Sequence, residues 1–303
     1  MVASVVVLMA THDGIRWLDE QLGSILDQRG VDVRVVVFDD GSTDGTDVYL
    51  GRVAASDGRV HLLPPGRAGS ASGAFYHLIT NAEVRPDEFV AFSDQDDVWM
   101  PGKLARSVSV LQRGIDGFSS NVTAVAPDGR RTLIRKAFPQ REFDYLFEGP
   151  GPGNTFLLSP RLFEFVRHVL VTDERARRID FHDWLVYGVC RARGWRWHIS
   201  EEPTVDYRQH DDNALGANAG LRSAVSRLRL VANTWHRGQS RLLAGIAADV
   251  TPGAGGESLA RLRRCLDSTS FSSRCRLARR FSQLRRRPRD RWALAAMIVS
   301  GLW

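Results

Sequence analysis

Apolar and polar positions along the first 120 residues switch repeatedly between two periods. Val2–Met9 is an apolar run interrupted only by Ser4, the pattern of a strand covered on both faces. Within 15–28, Trp17, Leu18, Leu22, Ile25 and Leu26 recur at helical spacing. Val33–Phe38 predicts a second buried strand ending in Asp39-Asp40-Gly41, with Ser42 or Thr43 placed to cap the following helix. Val60–Leu63 predicts a third strand, and the Gly/Pro/Ala/Ser loop 64–73 leads into a helix over about 74–82. Phe89–Phe92 predicts a fourth strand, ended by Ser93-Asp94-Gln95-Asp96-Asp97, and Pro101 suits the first position of the next helix. Strands alternating with helices at this spacing predict an α/β fold with a doubly wound, mostly parallel sheet. Both acidic clusters then fall at carboxyl ends of strands, where such sheets bind ligands.

After about residue 120 the rhythm changes. Thr123–Ala126 and Thr132–Ile134, joined by Pro127-Asp128-Gly129, predict a hairpin. A strand over 154–158, helices over about 160–170 and 181–193, and a strand over 195–199 follow. Beyond about 218 the composition turns helical and arginine-rich, which divides the chain into residues 1–217 and an extension, 218–303.

Charge changes this picture in one place. The 303 residues carry 41 Lys+Arg against 35 Asp+Glu, a formal net charge of +6. Between Phe271 and Arg291 stand nine arginines and one acid, Asp290, so this stretch holds +8 and the remainder of the chain −2. The apolar Trp292–Trp303 follows directly. Basic then apolar, ending in Trp, is the pattern of a segment lying on an anionic membrane face. The competing reading packs residues 271–303 onto the rest of the chain or onto a second copy in a homo-oligomer. A nucleic-acid partner is not expected, because no RNP, KH or zinc-finger pattern accompanies the charge. No apolar stretch reaches the ~18 residues that span a bilayer, and the N-terminal run reads as a strand rather than a signal peptide. Three cysteines, Cys190, Cys265 and Cys275, form no CxxC pair and suit a reducing cytosol.

Asp94-Gln95-Asp96-Asp97 puts three carboxylates in four residues. A fold keeps them together only if a cation or strong donors neutralise them, and hard oxygen ligands suit Mg²⁺ or Mn²⁺. Asp39–Thr46 matches the opening of an EF-hand loop at Asp40, Ser42, Asp44 and Gly45, but Gly51 stands where that loop needs its twelfth-position Glu. A strand-end Asp pair before a capped helix start instead suits hydrogen bonds from a nucleobase or ribose.

Taken in order, Ala10-Thr11-His12-Asp13-Gly14, Asp39–Thr46, Asp94–Pro101 and Tyr207-Arg208-Gln209-His210 resemble the family 2 glycosyltransferases of the GT-A fold. Among these, the chain is most similar to bacterial rhamnosyltransferase-like enzymes, over roughly residues 2–216. The resemblance implies a Rossmann-like catalytic domain and an inverting, metal-dependent transfer from a nucleotide sugar. The donor would be dTDP-rhamnose or a UDP-hexose, and the acceptor a saccharide or lipid-linked saccharide of the cell envelope. Thr11, His12, Asp13, Asp39, Asp40, Arg67, Ser70, Asp94, Gln95 and Arg208 would line the donor, with His12 where the family usually carries an aromatic ring. Asp94, Asp96 and His210 would hold the Mg²⁺ or Mn²⁺. The family's base ends an acidic pair at the start of a later helix; here Phe181-His182-Asp183-Trp184 offers Asp183. Trp99, Asn154, His182 and Trp184 would face the acceptor, Asn154 at the end of the Gly149–Asn154 glycine-rich segment. The implied location is the cytoplasm, peripheral on the inner face of the cell membrane. Two other functions fit such a sheet: a nucleotidyltransferase acting on sugar phosphates, and a non-catalytic sugar-binding protein with a degenerate transferase fold.

Overall fold

The computed structural model describes residues 2–210, 235–253 and 255–303. The strand β1 (Ala3–Thr11) pairs in parallel with β2 (Val31–Asp39) and β4 (Phe89–Ser93), and β2 pairs in parallel with β3 (Val60–Leu62). Past β4 lies β9 (Leu157–Leu158), antiparallel to β4 and to β6 (Gly117–Ser120). The strand β10 (Trp197–Ser200) then closes the sheet parallel to β6. The seven-stranded order is β10-β6-β9-β4-β1-β2-β3. The mostly parallel sheet is as expected; the one reversed strand is the two-residue β9, too short to leave a periodic signal.

Alternation along the strands builds a core on each face. Val6, Leu8, Val36, Phe38, Val90 and Phe92 point to one side, against α3 (Ala71–Asn81), α5 (Pro160–Thr172) and α6 (His182–Ala192). Val5, Val7, Met9, Val35 and Val37 point to the other, against α1 (Ile15–Leu26), α2 (Thr46–Ser56) and α4 (Lys103–Leu111). The wholly apolar runs read from the sequence are therefore strands buried on both faces.

The predicted hairpin forms as β7 (Val122–Val125) and β8 (Arg131–Ile134). It belongs to a second sheet of order β5-β11-β7-β8, completed by β5 (Val98–Trp99) and β11 (Val205–Arg208). Three element starts differ from expectation for local reasons. Helix α2 begins at Thr46, because Ser42 and Thr43 bond Asp39 and Asp13, while Asp44 accepts from the Thr46 N–H. Helix α4 begins at Lys103, two residues after Pro101, because Gly102 takes a left-handed turn at φ 73°. The strand expected over 154–158 is mostly a 3₁₀ turn, Gly153–Thr155, that carries Asn154 inward.

The described part of the extension forms α7 (Trp235–Val250), α8 (Gly255–Asp267), α9 (Phe271–Ala278), α10 (Phe281–Leu284) and α11 (Pro288–Ser300). The boundary expected at 217/218 lies outside the described residues. Leu243, Ile246, Leu284, Leu294, Ile298 and Trp303 share one apolar core with Phe147, Trp184 and Tyr187. The expectation that 292–303 lies on a membrane as a continuous apolar stretch changes accordingly. Leu294, Ile298 and Trp303 face the protein, while Trp292, Val299 and Leu302 stay exposed. No helix among the described residues is long and apolar enough to cross a membrane.

One tight contact tests the sheet. A Cβ on Gly117 would overlap the ring of buried Trp197 on the adjacent strand. Gly117→Ala is expected to cost about 1–3 kcal/mol of unfolding free energy by overpacking. Equal denaturation midpoints for variant and parent would count against this packing.

Candidate active site

The site sits at the carboxyl ends of β1, β2 and β4. At the end of β1, Thr11 Oγ1 donates to Asp39 Oδ1 at 2.9 Å. Ser42 also donates to Asp39, through its backbone N–H (2.9 Å) and its hydroxyl (2.5 Å). Asp40 accepts from the Ala68 and Gly69 N–H groups, so this second aspartate shapes the 64–70 loop. The exposed Arg67 side chain lies across Gly41, 2.8 Å from where a Cβ would stand, and the Gly41 φ of 73° itself favours glycine. Ser70 caps α3 by accepting from the Gly73 N–H at 3.1 Å. His12 and Gln95 exchange backbone bonds: the His12 N–H donates to Gln95 Oε1 (2.7 Å), and Gln95 Nε2 donates to the His12 carbonyl (2.8 Å). Asp13, the one non-glycine residue at positive φ (47°) among the described residues, accepts from Thr43 N–H and donates its own N–H to Ser42. Such strain in a strand-end loop accompanies functional positions. Hydrogen bonds thus tie Thr11 and Ser42 to Asp39, and the 68–69 backbone to Asp40, at the ends of β1 and β2.

The second acidic cluster follows β4. Burial, then the charges of Asp96 and Asp183, push the Asp94 carboxyl up to about 7, opposed by Lys103. Asp97 is buried and held well above the usual carboxylate range by desolvation and by its two acidic neighbours. It accepts from Asn154 Nδ2 and from the Arg208 N–H (3.1 Å). Asp96 Oδ2 lies 2.6 Å from His210 Nε2, and the His210 ring stacks on Trp17 with centroids 5.6 Å apart. Arg208 lies alongside, donating to the Asp96 carbonyl (3.0 Å) and to Glu20 (2.5 Å), its guanidinium over the Trp17 ring.

Among the described residues no three His, Cys, Asp or Glu side chains converge at metal-binding distance. The donor set nevertheless fits a hard divalent cation. A strand-end carboxylate with a histidine 2.6 Å away offers hard donors, and Mg²⁺-type ions are often held by one or two carboxylates plus substrate phosphates. Asp96 and His210 would hold the ion, joined by Asp94.

Facing this cluster is the start of α6. Burial pushes the Asp183 carboxyl up to about 6, although it accepts from the Trp184 N–H (2.7 Å) and lies near the Lys136 ammonium. A carboxyl so tuned is deprotonated at neutral pH yet basic enough to take a proton.

The residues expected against the acceptor are placed otherwise. Trp99 is 2 % exposed, with the Lys103 ammonium 3.1 Å from its ring centroid. Trp184 is 5 % exposed and donates its ring N–H to the Tyr145 carbonyl. Asn154 is fully buried between Asp97 and Lys103. His182 stacks on Phe75, centroids 3.8 Å apart, and burial pulls its imidazole down to about 3, so it is neutral. These four side chains pack beneath the cleft and support it. The reason is common to all: their backbone positions are near the site, but the ring or amide turns into the core. Sequence reading missed Lys103, Glu20 and Trp17. Lys103 carried a signal, being one of only two lysines among 41 basic residues, the other being Lys136.

A mostly parallel sheet with acidic clusters at the ends of β2 and β4 has the layout of the GT-A glycosyltransferase fold. Residues 6–170 match the profile of "Glycosyl transferase family 2", and the chain belongs to that family. It is 37% identical over 245 residues to the dTDP-rhamnosyl transferase RfbG of Shigella flexneri, covering 80% of this chain and 85% of the relative. It is 30% identical over 169 residues to the Escherichia coli UDP-Glc:alpha-D-GlcNAc-diphosphoundecaprenol beta-1,3-glucosyltransferase WfgD, covering 53% and 64%. Among solved structures, S. aureus TarS 1–349 superposes with a TM-score of 0.54 at 15% identity, covering 99% of this chain and 80% of that one. The mannosyltransferase PcManGT from Pyrobaculum calidifontis, in complex with GDP-Man and Mn²⁺, gives 0.53 at 16%, covering 98% and 85%. At these identities the structures speak to the fold.

Proposed function

We propose that this glycosyltransferase moves rhamnose from dTDP-rhamnose, with a UDP-hexose as the next candidate, to a saccharide of a cell-surface glycan, inverting the anomeric centre. The observation that carries the reading is the raised Asp183 carboxyl facing Asp94, with the hydrogen-bonded ends of β1 and β2 alongside Asp94 on the sheet edge. Asp183 takes the proton of the acceptor hydroxyl as its oxygen bonds the anomeric carbon. The bond from that carbon to the diphosphate breaks, and its electron pair leaves with the nucleoside diphosphate. Arg208, held between Glu20 and Asp96, places a cation near the departing charge. A divalent ion at Asp96 and His210 supplies further positive charge to the diphosphate when bound. The 37% identity to a dTDP-rhamnosyl transferase supports the donor. In a panel of nucleotide sugars with Mn²⁺ or Mg²⁺, dTDP-rhamnose is expected to release its nucleoside diphosphate, dTDP, fastest. Turnover of none would sink the enzymatic reading, and preference for a sugar-1-phosphate with a nucleoside triphosphate would favour a nucleotidyltransferase.

The proposed location is the cytoplasmic face of an anionic membrane, where a lipid-linked acceptor presents its sugar. Phe271 (63 % exposed), Trp292 (66 %) and Leu302 (65 %) stand on the same helical extension as the exposed Arg276, Arg279 and Arg289. Each cation near such a surface contributes about 1 kcal/mol. Trp292→Ala with Arg276→Gln and Arg279→Gln, all at exposed positions, is expected to lose sedimentation with phosphatidylglycerol vesicles while keeping donor turnover. Undiminished sedimentation refutes the proposal.

A further inference from the structure

The basic stretch contains one arginine that neither solvent nor a lipid surface can reach. Arg286, between α10 and α11, is 3 % exposed. Its Nη1 donates to Asp144 Oδ2 (3.2 Å), and its Nη2 to the Gly149 carbonyl (2.6 Å). Its backbone N–H donates to Glu148 Oε1 at 2.5 Å. Asp144 is buried and also accepts from Tyr187 Oη (2.9 Å) and Arg191 Nη1 (3.0 Å), both on α6. The preceding Arg285 donates to the Phe147 carbonyl at 2.7 Å. That carbonyl has a second tie: it lies 3.0 Å from His236 Nε2, and the His236 Nδ1 accepts from the Trp303 ring N–H at 2.8 Å. Burial pulls the His236 imidazole down to about 3, so it is neutral and its Nε2–H is the donor to Phe147. Phe147-Glu148-Gly149 is therefore held at three consecutive residues by the C-terminal segment.

What this clamp faces gives it a role. Gly149 opens the glycine-rich segment 149–154, and a Cβ built on it would lie 3.9 Å from Asp183 Oδ2 and 3.9 Å from the Trp184 Cα. Desolvating a guanidinium is costly, so apolar packing would hold a helix pair more cheaply. The fork geometry of Arg reaches Asp144 and the Gly149 carbonyl together; a Lys ammonium, as a point charge, satisfies one of them.

We propose that Arg286 is a positioning residue for the transfer: it holds Gly149 against α6 so that the Asp183 carboxyl stays aimed into the cleft. Trp303, through His236, fixes the same segment from its other end. The proposal rests on the reading of Asp183 as the base. The C-terminal extension is by this account part of the catalytic apparatus, and its charge is divided between a buried clamp and an exposed face.

The test compares Arg286→Lys with Asp183→Asn in the full chain, reading kcat and KM for dTDP-rhamnose, or for the nucleotide sugar that the panel selects, with water accepting the sugar. Arg286→Lys retains a counter-charge for Asp144 and is expected to lower kcat by about 10–100-fold, the size of effect that small misplacements produce. KM, dTDP affinity and melting temperature should change little. Trp303→Phe keeps the aromatic ring, removes the N–H, and is expected to lower kcat in the same direction by less. It carries the test if Arg286→Lys does not fold. Full kcat in the folded variants, or kcat and dTDP affinity falling together, overturns the clamp. Normal turnover in Asp183→Asn overturns the base itself, and the clamp with it.

Discussion

Asp183→Asn is expected to lower turnover by about 10²–10⁴-fold, the span typical of a positioned proton acceptor, with dTDP or UDP affinity nearly unchanged. The substitution is nearly isosteric, and among the described residues the Asp183 carboxyl accepts from the Trp184 N–H, on its own helix. Loss should therefore fall on kcat and on kcat/KM alike. The parent enzyme supplies the sign for pH. A base must be deprotonated to act, and burial raises this one to about 6, so activity is full above about pH 7 and falls as pH drops through about 6. In Asp183→Asn that acidic limb should vanish from whatever activity remains. Near-parental turnover, or an unchanged limb, would remove Asp183 from the chemistry.

Asp96→Ala is expected to abolish the metal-dependent part of donor binding. Asp96 sits at the meeting point of three groups: its carboxylate is 2.6 Å from His210, its carbonyl accepts from Arg208, and its charge raises Asp94. Removing the carboxylate takes away one of the two donors proposed for the ion. Losses of 10–100-fold in metal affinity are typical even for residues one step behind a ligand, so at least about 100-fold is expected here. Calorimetry of UDP or dTDP with and without Mn²⁺ reads it directly, and equal Mn²⁺ enhancement in variant and parent would exclude Asp96 as a ligand.

Both acidic clusters could be read from the sequence because each terminates an apolar run. Residues 33–39 and 89–94 report their own burial, and the carboxyl end of a parallel strand needs no further information to be placed at the ligand edge. The base was legible only through resemblance: Asp183 stands about 90 residues from Asp94 in the chain, and no local pattern says that the start of α6 faces the end of β4. The acceptor side was misread for a related reason. Trp99 and Trp184 lie at suitable backbone positions, yet whether an aromatic ring floors a cleft or fills a core depends on its rotamer and on neighbours such as Lys103 and Tyr145. The two-residue β5 left no periodic trace, and β9 was read as part of a longer strand over 154–158, since two residues cannot show a period.

The C-terminal extension shows most sharply where sequence stops. Composition established that residues 271–303 are intensely basic and then apolar. That is a statement about totals and order along the chain, which local physics determines. Only the folded structure divides those residues by surroundings: Arg286 desolvated between Asp144 and Gly149, Leu294 and Trp303 in the core, Trp292 and Arg289 left to solvent. A helix of given sequence can turn any face to its neighbours, and for Arg286 the partners are Asp144 and Gly149, 142 and 137 residues away in the chain. Strand–helix alternation, acidic edge and charge imbalance were properties of the sequence alone; strand order, and which cation is buried as a clamp, were decided by long-range packing.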